Sequence, residues 1–402
     1  MAGNEGKTKT PSFAERAQWP LGKNALARAW SKREERREDV LNLTESNPTR
    51  CDFAFPGSDI QAALNHPLNL AYTPSPRGLL EARQALCRYY QAQKINLETD
   101  QLFLTASTSE AYAFLFRLLV NPGETVLFPR PSYPLFDFLG GLNDVAVDYY
   151  PLRFKQAWRP DLREFRSRLN PSVKAVVLVN PNNPTGSFIR HEDFIVMAEL
   201  CAERGIPLIS DEVFFDYRLD QAVEPYSLLG YQDHLTFVLG GLSKALALPQ
   251  MKLSWIIMNG PAEDRREAGQ RLEIIADTYL SVSTPIQHAL KTWLTLQPGI
   301  HDMIMKRVNA NYRGLKTMLA SSHEIRCLTV EGGWAAVLRL PEKFSEEAFV
   351  LELLNQDGVG VYPGYFFDFE QEPLIVVSLL PAEAIFREAM LRLQKRVKVG
   401  IC

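Results

Sequence analysis

Residues 174–186 read KAVVLVNPNNPTG, an apolar, β-branched run that stops against two Asn-Pro steps and a glycine. So short a run, closed by turn residues, reads as a strand buried on both faces, and the Asn-Pro steps read as the turn leaving its carboxyl end. Working outward, the same alternation continues in both directions. Upstream, QLFLT (101–105) leads into a helical pattern over 109–119, and TVLF (125–128) into another over 132–139. Downstream, a helical pattern over 190–204 precedes IPLIS (206–210), then LTFVLG (235–240) and LSWIIM (253–258). Pro122-Gly123 and Gly205 supply the helix stops. Strands alternating with helices predict an α/β fold: a three-layer αβα large domain with a mostly parallel sheet.

Beyond residue 300 the rhythm changes to a helix, short strands over 325–340, a helix over 344–357, more strands and a final helix over 381–396. That pattern predicts a smaller α+β domain, joined by residues before 65. The expected division is a flexible tail over 1–25, a first small-domain part over 26–65, the large domain over 66–299 and the rest of the small domain over 300–402. The run SKREERRED (31–39) reads as the solvated side or end of a helix.

Composition narrows the chemistry. With 402 residues, 46% hydrophobic, the chain can bury a large core, and a net charge of −3 supplies no basic field for nucleic acid or an anionic membrane. Five widely spaced cysteines show no zinc or redox spacing, so no metal is expected and the thiols read as reduced. The opening MAGNEGKTKTPSF has no signal-peptide core, and no apolar run spans a bilayer. A cytoplasmic protein acting on small molecules is the expectation.

In open parallel sheets ligands bind beyond the carboxyl ends of strands, and the polar oddities of this chain fall there. After QLFLT comes Ala106-Ser107-Thr108-Ser109, hydroxyls and N–H groups at a helix start that suit a phosphate. After KAVVLV comes Asn183, after IPLIS comes Asp211, and after LTFVLG comes Ser243-Lys244, with Lys252 eight residues on. Singly these are turns, caps and surface residues. Their order is more telling, because Asn183, Asp211 and Lys244 follow successive strands. The N-P-x-N-P-T-G loop with the Ser-Lys step resembles the class I/II aminotransferase family of fold-type I pyridoxal-phosphate enzymes, over about residue 40 to the C-terminus.

That resemblance implies pyridoxal 5′-phosphate as cofactor, held as a Schiff base on Lys244. Lysine can form the imine and, once released as an amine, shuttle a proton. Asp211 would keep the pyridine nitrogen protonated. Asn183 would donate to the phenolic oxygen, and Tyr133, in PRPSYPLF, would stack on the ring. Ser107, Thr108, Ser109, Ser243 and Lys252 would form the phosphate set. Tyr72, in AYTPSPRG, matches a tyrosine that reaches the phosphate across a dimer interface, so a homodimer with shared sites is implied. The expected substrates are an amino donor and a 2-oxo acid, touched by Asn183, by Asn47 of the loop from Thr44 to Asn47, and by Arg50 just after it.

Three positions depart from the family pattern. Phe214 stands where a tyrosine commonly donates to the phenolic oxygen, and Lys252 where an arginine is more frequent. More seriously, relatives usually carry a carboxylate-binding arginine in the last small-domain strand. Here the window 371–381, QEPLIVVSLLP, has Val376 at about that position and no cation in any register. Arg50, then Arg77 and Arg339, are the candidates to replace it. The expected activity is transamination. A lyase or decarboxylase on the same fold is the alternative, and residues 1–42, ahead of LTESNPT, are too short for the DNA-binding module of a regulator.

Overall fold

The computed structural model describes residues 12–280, 282–320, 322, 324–370 and 373–400. The large sheet has eight strands: β1 Leu102–Thr105, β2 Thr125–Arg130, β3 Ala146–Phe154, β4 Trp158–Pro160, β5 Val173–Val179, β6 Leu208–Asp211, β7 Thr236–Gly241 and β8 Ser254–Asn259. Their order is β1-β8-β7-β6-β5-β2-β3-β4. β2, β3, β5, β6 and β7 pair in parallel, whereas β8 runs antiparallel between β1 and β7, and the edge strand β4 runs antiparallel to β3.

Alternation along the strands explains the three layers. Val176, Leu178, Leu208, Val238 and Ile257 enter the main core, while Ala175, Val177, Ile209, Phe237 and Ile256 enter a second core on the other face. Both sets are buried, so the runs look continuously apolar in sequence. Helices Thr108–Leu119 and Ala262–Tyr279 cover the second core, and helix His191–Ala202 covers the first. The helix expected over 132–139 begins only at Phe136. Tyr133 and Pro134 occupy a turn first, because a residue before proline is disfavoured in helical geometry.

The second sheet is wholly antiparallel, with strands β9 Arg326–Cys327, β10 Ala335–Arg339, β11 Tyr362–Pro363 and β12 Leu374–Ser378 in the order β9-β10-β12-β11. Helix Glu346–Asp357 packs with it, and helices Ala25–Glu35 and Glu383–Val399 pack on that helix. Leu41 and Asn42 pair in parallel with Val359 and Gly360, so the N-terminal segment meets the C-terminal unit. A 36-residue helix, Thr284–Leu319, runs through the expected boundary at 299/300. Of the expected tail, residues 1–11 lie outside the described residues, and Trp19 meets the Phe138 ring edge-on at 5.3 Å. Among the described residues no helix is long and apolar enough to cross a membrane.

One close approach ties the two units together. Gly186, at φ +69°, receives the N–H of Gly332 on its carbonyl, and a Cβ at Gly186 would sit 2.5 Å from the Gly332 oxygen. Beside it the buried Glu331 carboxylate accepts from the Phe188 N–H and from Arg190.

Candidate active site

The carboxyl ends of β1, β2, β5, β6 and β7 face the small sheet across a cavity of about 580 Å³. Each strand delivers one piece. Past β1, Ser107 caps helix Thr108–Leu119 by accepting the Glu110 N–H at 3.1 Å, and Thr108 and Ser109 form its first turn. β2 runs into Tyr133 and Pro134. β5 leads through Asn180, whose N–H reaches the Asp211 carbonyl, to Asn183. β6 ends on Asp211, and β7 runs into a short helix, Leu242–Ala245, holding Ser243 and Lys244.

Asp211 and Lys244 are the charged pair of the floor. The Asp211 carboxylate accepts from the Tyr112 hydroxyl at 3.1 Å and the Val213 N–H at 3.2 Å. Burial pushes its carboxyl up to about 6, against the opposing pull of those donors and of Lys244. Burial likewise pushes the Lys244 ammonium down to about 8, with Asp211 resisting the fall. Lys244 Nζ lies 4.9 Å from the ring centres of both Phe214 and Trp334, which meet edge-on at 5.1 Å. Its backbone carbonyl accepts from the Tyr217 hydroxyl at 2.8 Å, which fixes the short helix on the buried Tyr217. Lys252 lies just ahead of β8, at φ +50°, and faces the same cavity.

The structure therefore gathers Ser107, Thr108, Ser109, Tyr133, Asn183, Asp211, Phe214, Ser243, Lys244 and Lys252 around one space. Tyr72 is 78% exposed and lies outside that lining. Asn47 and Arg50, expected to touch the substrate, lie outside it too. The chain turns at Pro48 into a single 3-10 turn, where Asn47 accepts from the Thr49 N–H and hydroxyl and Arg50 is left exposed. Thr44 and Ser46 line the cavity instead. Arg77 is bound to Glu273 and to the Asp100 carbonyl, with its guanidinium over Phe103. Arg339 sits at the far end of β10 from the cavity-lining Ala335.

The sequence reading missed most of the opposite wall: Trp334, Ala335, Tyr362, Phe366, Phe367 and Ser378, together with Tyr112 under Asp211. Only Gly332-Gly333 ahead of Trp334 hinted at a close backbone approach there.

Comparison with known proteins agrees with this arrangement. The family model described as aminotransferase class I and II matches residues 38–384. The glutamate-pyruvate aminotransferase AlaA of Haemophilus influenzae is 27% identical over 384 residues, covering 94% of each chain. AlaA of Escherichia coli K12 is 29% identical over 357 residues, covering 87% of this chain and 88% of the relative. Among solved structures, the alanine aminotransferase from Pyrococcus furiosus superposes with a TM-score of 0.87 at 23% identity, covering 96% of this chain and 100% of the other. The tyrosine aminotransferase from Leishmania infantum gives a TM-score of 0.82 at 20% identity, covering 98% and 99%.

Proposed function

Because the chain belongs to the class I and II aminotransferases and is a transaminase, we propose that it carries pyridoxal 5′-phosphate on Lys244 and moves an amino group from an amino acid or amine to a 2-oxo acceptor. The single observation that carries this reading is the buried pair Asp211 and Lys244 on the floor of one cavity that also gathers a hydroxyl-rich helix start and Lys252. The names of the relatives supply the substrate class of amino acid and 2-oxo acid.

The residues fit the cofactor. The Asn183 amide lines the cavity, where it can donate to the phenolic oxygen, while its neighbour Asn182 is turned away to donate to the Pro131 carbonyl at 3.2 Å. Ser107, Thr108, Ser109, Ser243 and Lys252 can hold a phosphate at the helix start. Tyr133 can cover one face of the ring. When bound, the cofactor supplies a carbonyl carbon that links to an amine and a cationic ring that accepts electrons from the substrate carbon.

The chain's own residues do the rest. Asp211 stays ionised beside a cation despite its burial, and so holds a proton on the ring nitrogen. Lys244, its ammonium pushed down to about 8 by burial, gives up its proton far more readily than an exposed lysine and as a free amine can take one from the substrate carbon. The aromatic pair Phe214 and Trp334 shields that amine from water. A homodimer belongs to this reading, with Tyr72, exposed in the single chain, contributing to the neighbouring site.

Borohydride reduction of the holoenzyme followed by peptide mapping tests the assignment. The adduct is expected on Lys244, and Lys244→Ala should abolish both the adduct and turnover. An adduct on another lysine overturns it.

A further inference from the structure

The wall facing Lys244 carries almost no charge. It is built from Trp334, Ala335, Tyr362, Phe366, Val376 and Ser378. β12 pairs with both neighbours here, Val376 lying opposite Val337 and Tyr362, and Ser378 opposite Ala335. Val376 is 3% exposed, so the centre of this wall, the position that the family resemblance matches to an arginine, is filled by a packed aliphatic side chain.

Among the described residues of the lining, the cations are Lys244 and Lys252. Under the proposed function both are already engaged, Lys244 with the cofactor carbon and Asp211, Lys252 with a phosphate that brings nearly two negative charges of its own. A substrate carboxylate entering this space would add negative charge where the described lining of this chain offers no further cation, while shedding water against aromatic rings. The donors that remain are neutral: the hydroxyls of Thr44, Ser46, Tyr362 and Ser378, and one indole. The Trp334 indole N–H is buried without a partner among the described residues, in a side chain only 5% exposed. An uncharged carbonyl or a bare alkyl group meets such a wall without the cost of stripping an anion.

We infer that the preferred amino donor of this enzyme bears no free carboxylate on the reacting carbon: it is an amine, or an amino acid whose carboxyl is masked as an amide or ester, recognised by the Val376 and Trp334 wall. This rests on the aminotransferase reading and narrows its substrate class. A 2-oxo acid acceptor then enters against the same wall, with a high KM.

The holoenzyme is tested with phenylalanine, phenylalaninamide and phenethylamine as donors, following kcat/KM for amino transfer. The amide and the amine are expected to exceed the free acid by at least tenfold. Calorimetric binding of 3-phenylpropanoate and 3-phenylpropanamide, neither of which can react, decides the same point without turnover. The amide should bind at least tenfold tighter, and Val376→Arg should tighten the carboxylate tenfold or more while leaving the amide unchanged. If no donor transfers its amino group, the aminotransferase reading fails, and the binding pair still judges the wall. Equal or tighter binding of the carboxylate by the unmodified holoenzyme overturns the inference, whether the cation comes from this chain or from a second copy.

Discussion

Replacing Lys244 with methionine should make the cofactor-free protein more stable at neutral pH, although it destroys the enzyme. The ammonium, ordinarily at 10.5, is pushed down to about 8 by burial, even with Asp211 attracting it. At about 1.4 kcal/mol for each tenfold, charging this amine costs the folded state about 3 kcal/mol. Contact with the Phe214 and Trp334 rings, both at 4.9 Å, offsets up to about 1 kcal/mol. A net cost of about 2 kcal/mol remains. Methionine keeps the unbranched length and removes the charge.

The sign follows from linkage. Below pH 8 the amine is charged in both folded and unfolded chains, so the folded state bears the full cost. As pH rises from about 8 to 10.5 the folded chain releases its proton first, and the cost fades. Lys244→Met should therefore exceed the parent by about 2 kcal/mol at pH 7, and the two should converge as pH approaches 10. Urea unfolding of both apoproteins between pH 6.5 and 10 measures this. A difference that stays constant with pH, or a parent as stable as the variant at pH 7, would refute the reasoning.

Two further outcomes can be checked. Phe214→Tyr restores a hydroxyl that can donate to the cofactor's ring oxygen and so stabilise its anion. The pH midpoint of the holoenzyme's visible band should fall by about one unit in a spectral titration, and an unchanged midpoint would reveal another donor. Gly186→Ala puts a methyl 2.5 Å from the Gly332 carbonyl at a backbone angle of φ +69°. It should cost about 1–3 kcal/mol of stability in urea unfolding, and a loss below about 0.5 kcal/mol would show that the junction yields freely.

The floor of the site was readable because each of its residues lies at or within four residues of the end of a strand of its own. Asn183 lies four residues past β5, Asp211 ends β6, and Lys244 lies three past β7, so local patterns located all three. The opposite wall has no such signature. Trp334, Tyr362 and Ser378 come from three short strands or their edges, brought together by antiparallel pairings that a single sequence does not reveal. Arg50 lies outside the cavity lining for a related reason: a one-turn 3-10 helix starts at Pro48, and Thr44 and Ser46 ahead of it line the cavity instead. The antiparallel setting of β8 was hidden as well, because its fully buried run is the same in either direction.

The division between floor and wall has a mechanistic consequence. Asp211 and Lys244 keep titrating charges out of water at a cost to the folded chain, and the large-sheet strand ends fix where they stand. The wall belongs to the small sheet and touches the substrate rather than the reacting bonds. A wall residue such as Val376 acts on ground state and transition state alike, because the group it meets does not change during transfer. Under the proposed function, loss or gain of its contacts therefore appears in KM, whereas loss of Asp211 or Lys244 removes stabilisation that exists only as the proton moves, and appears in kcat. Selection for a new donor can then alter β12 and Trp334 without disturbing the proton chemistry, and the uncharged, buried Val376 on β12 fits that independence of the two faces.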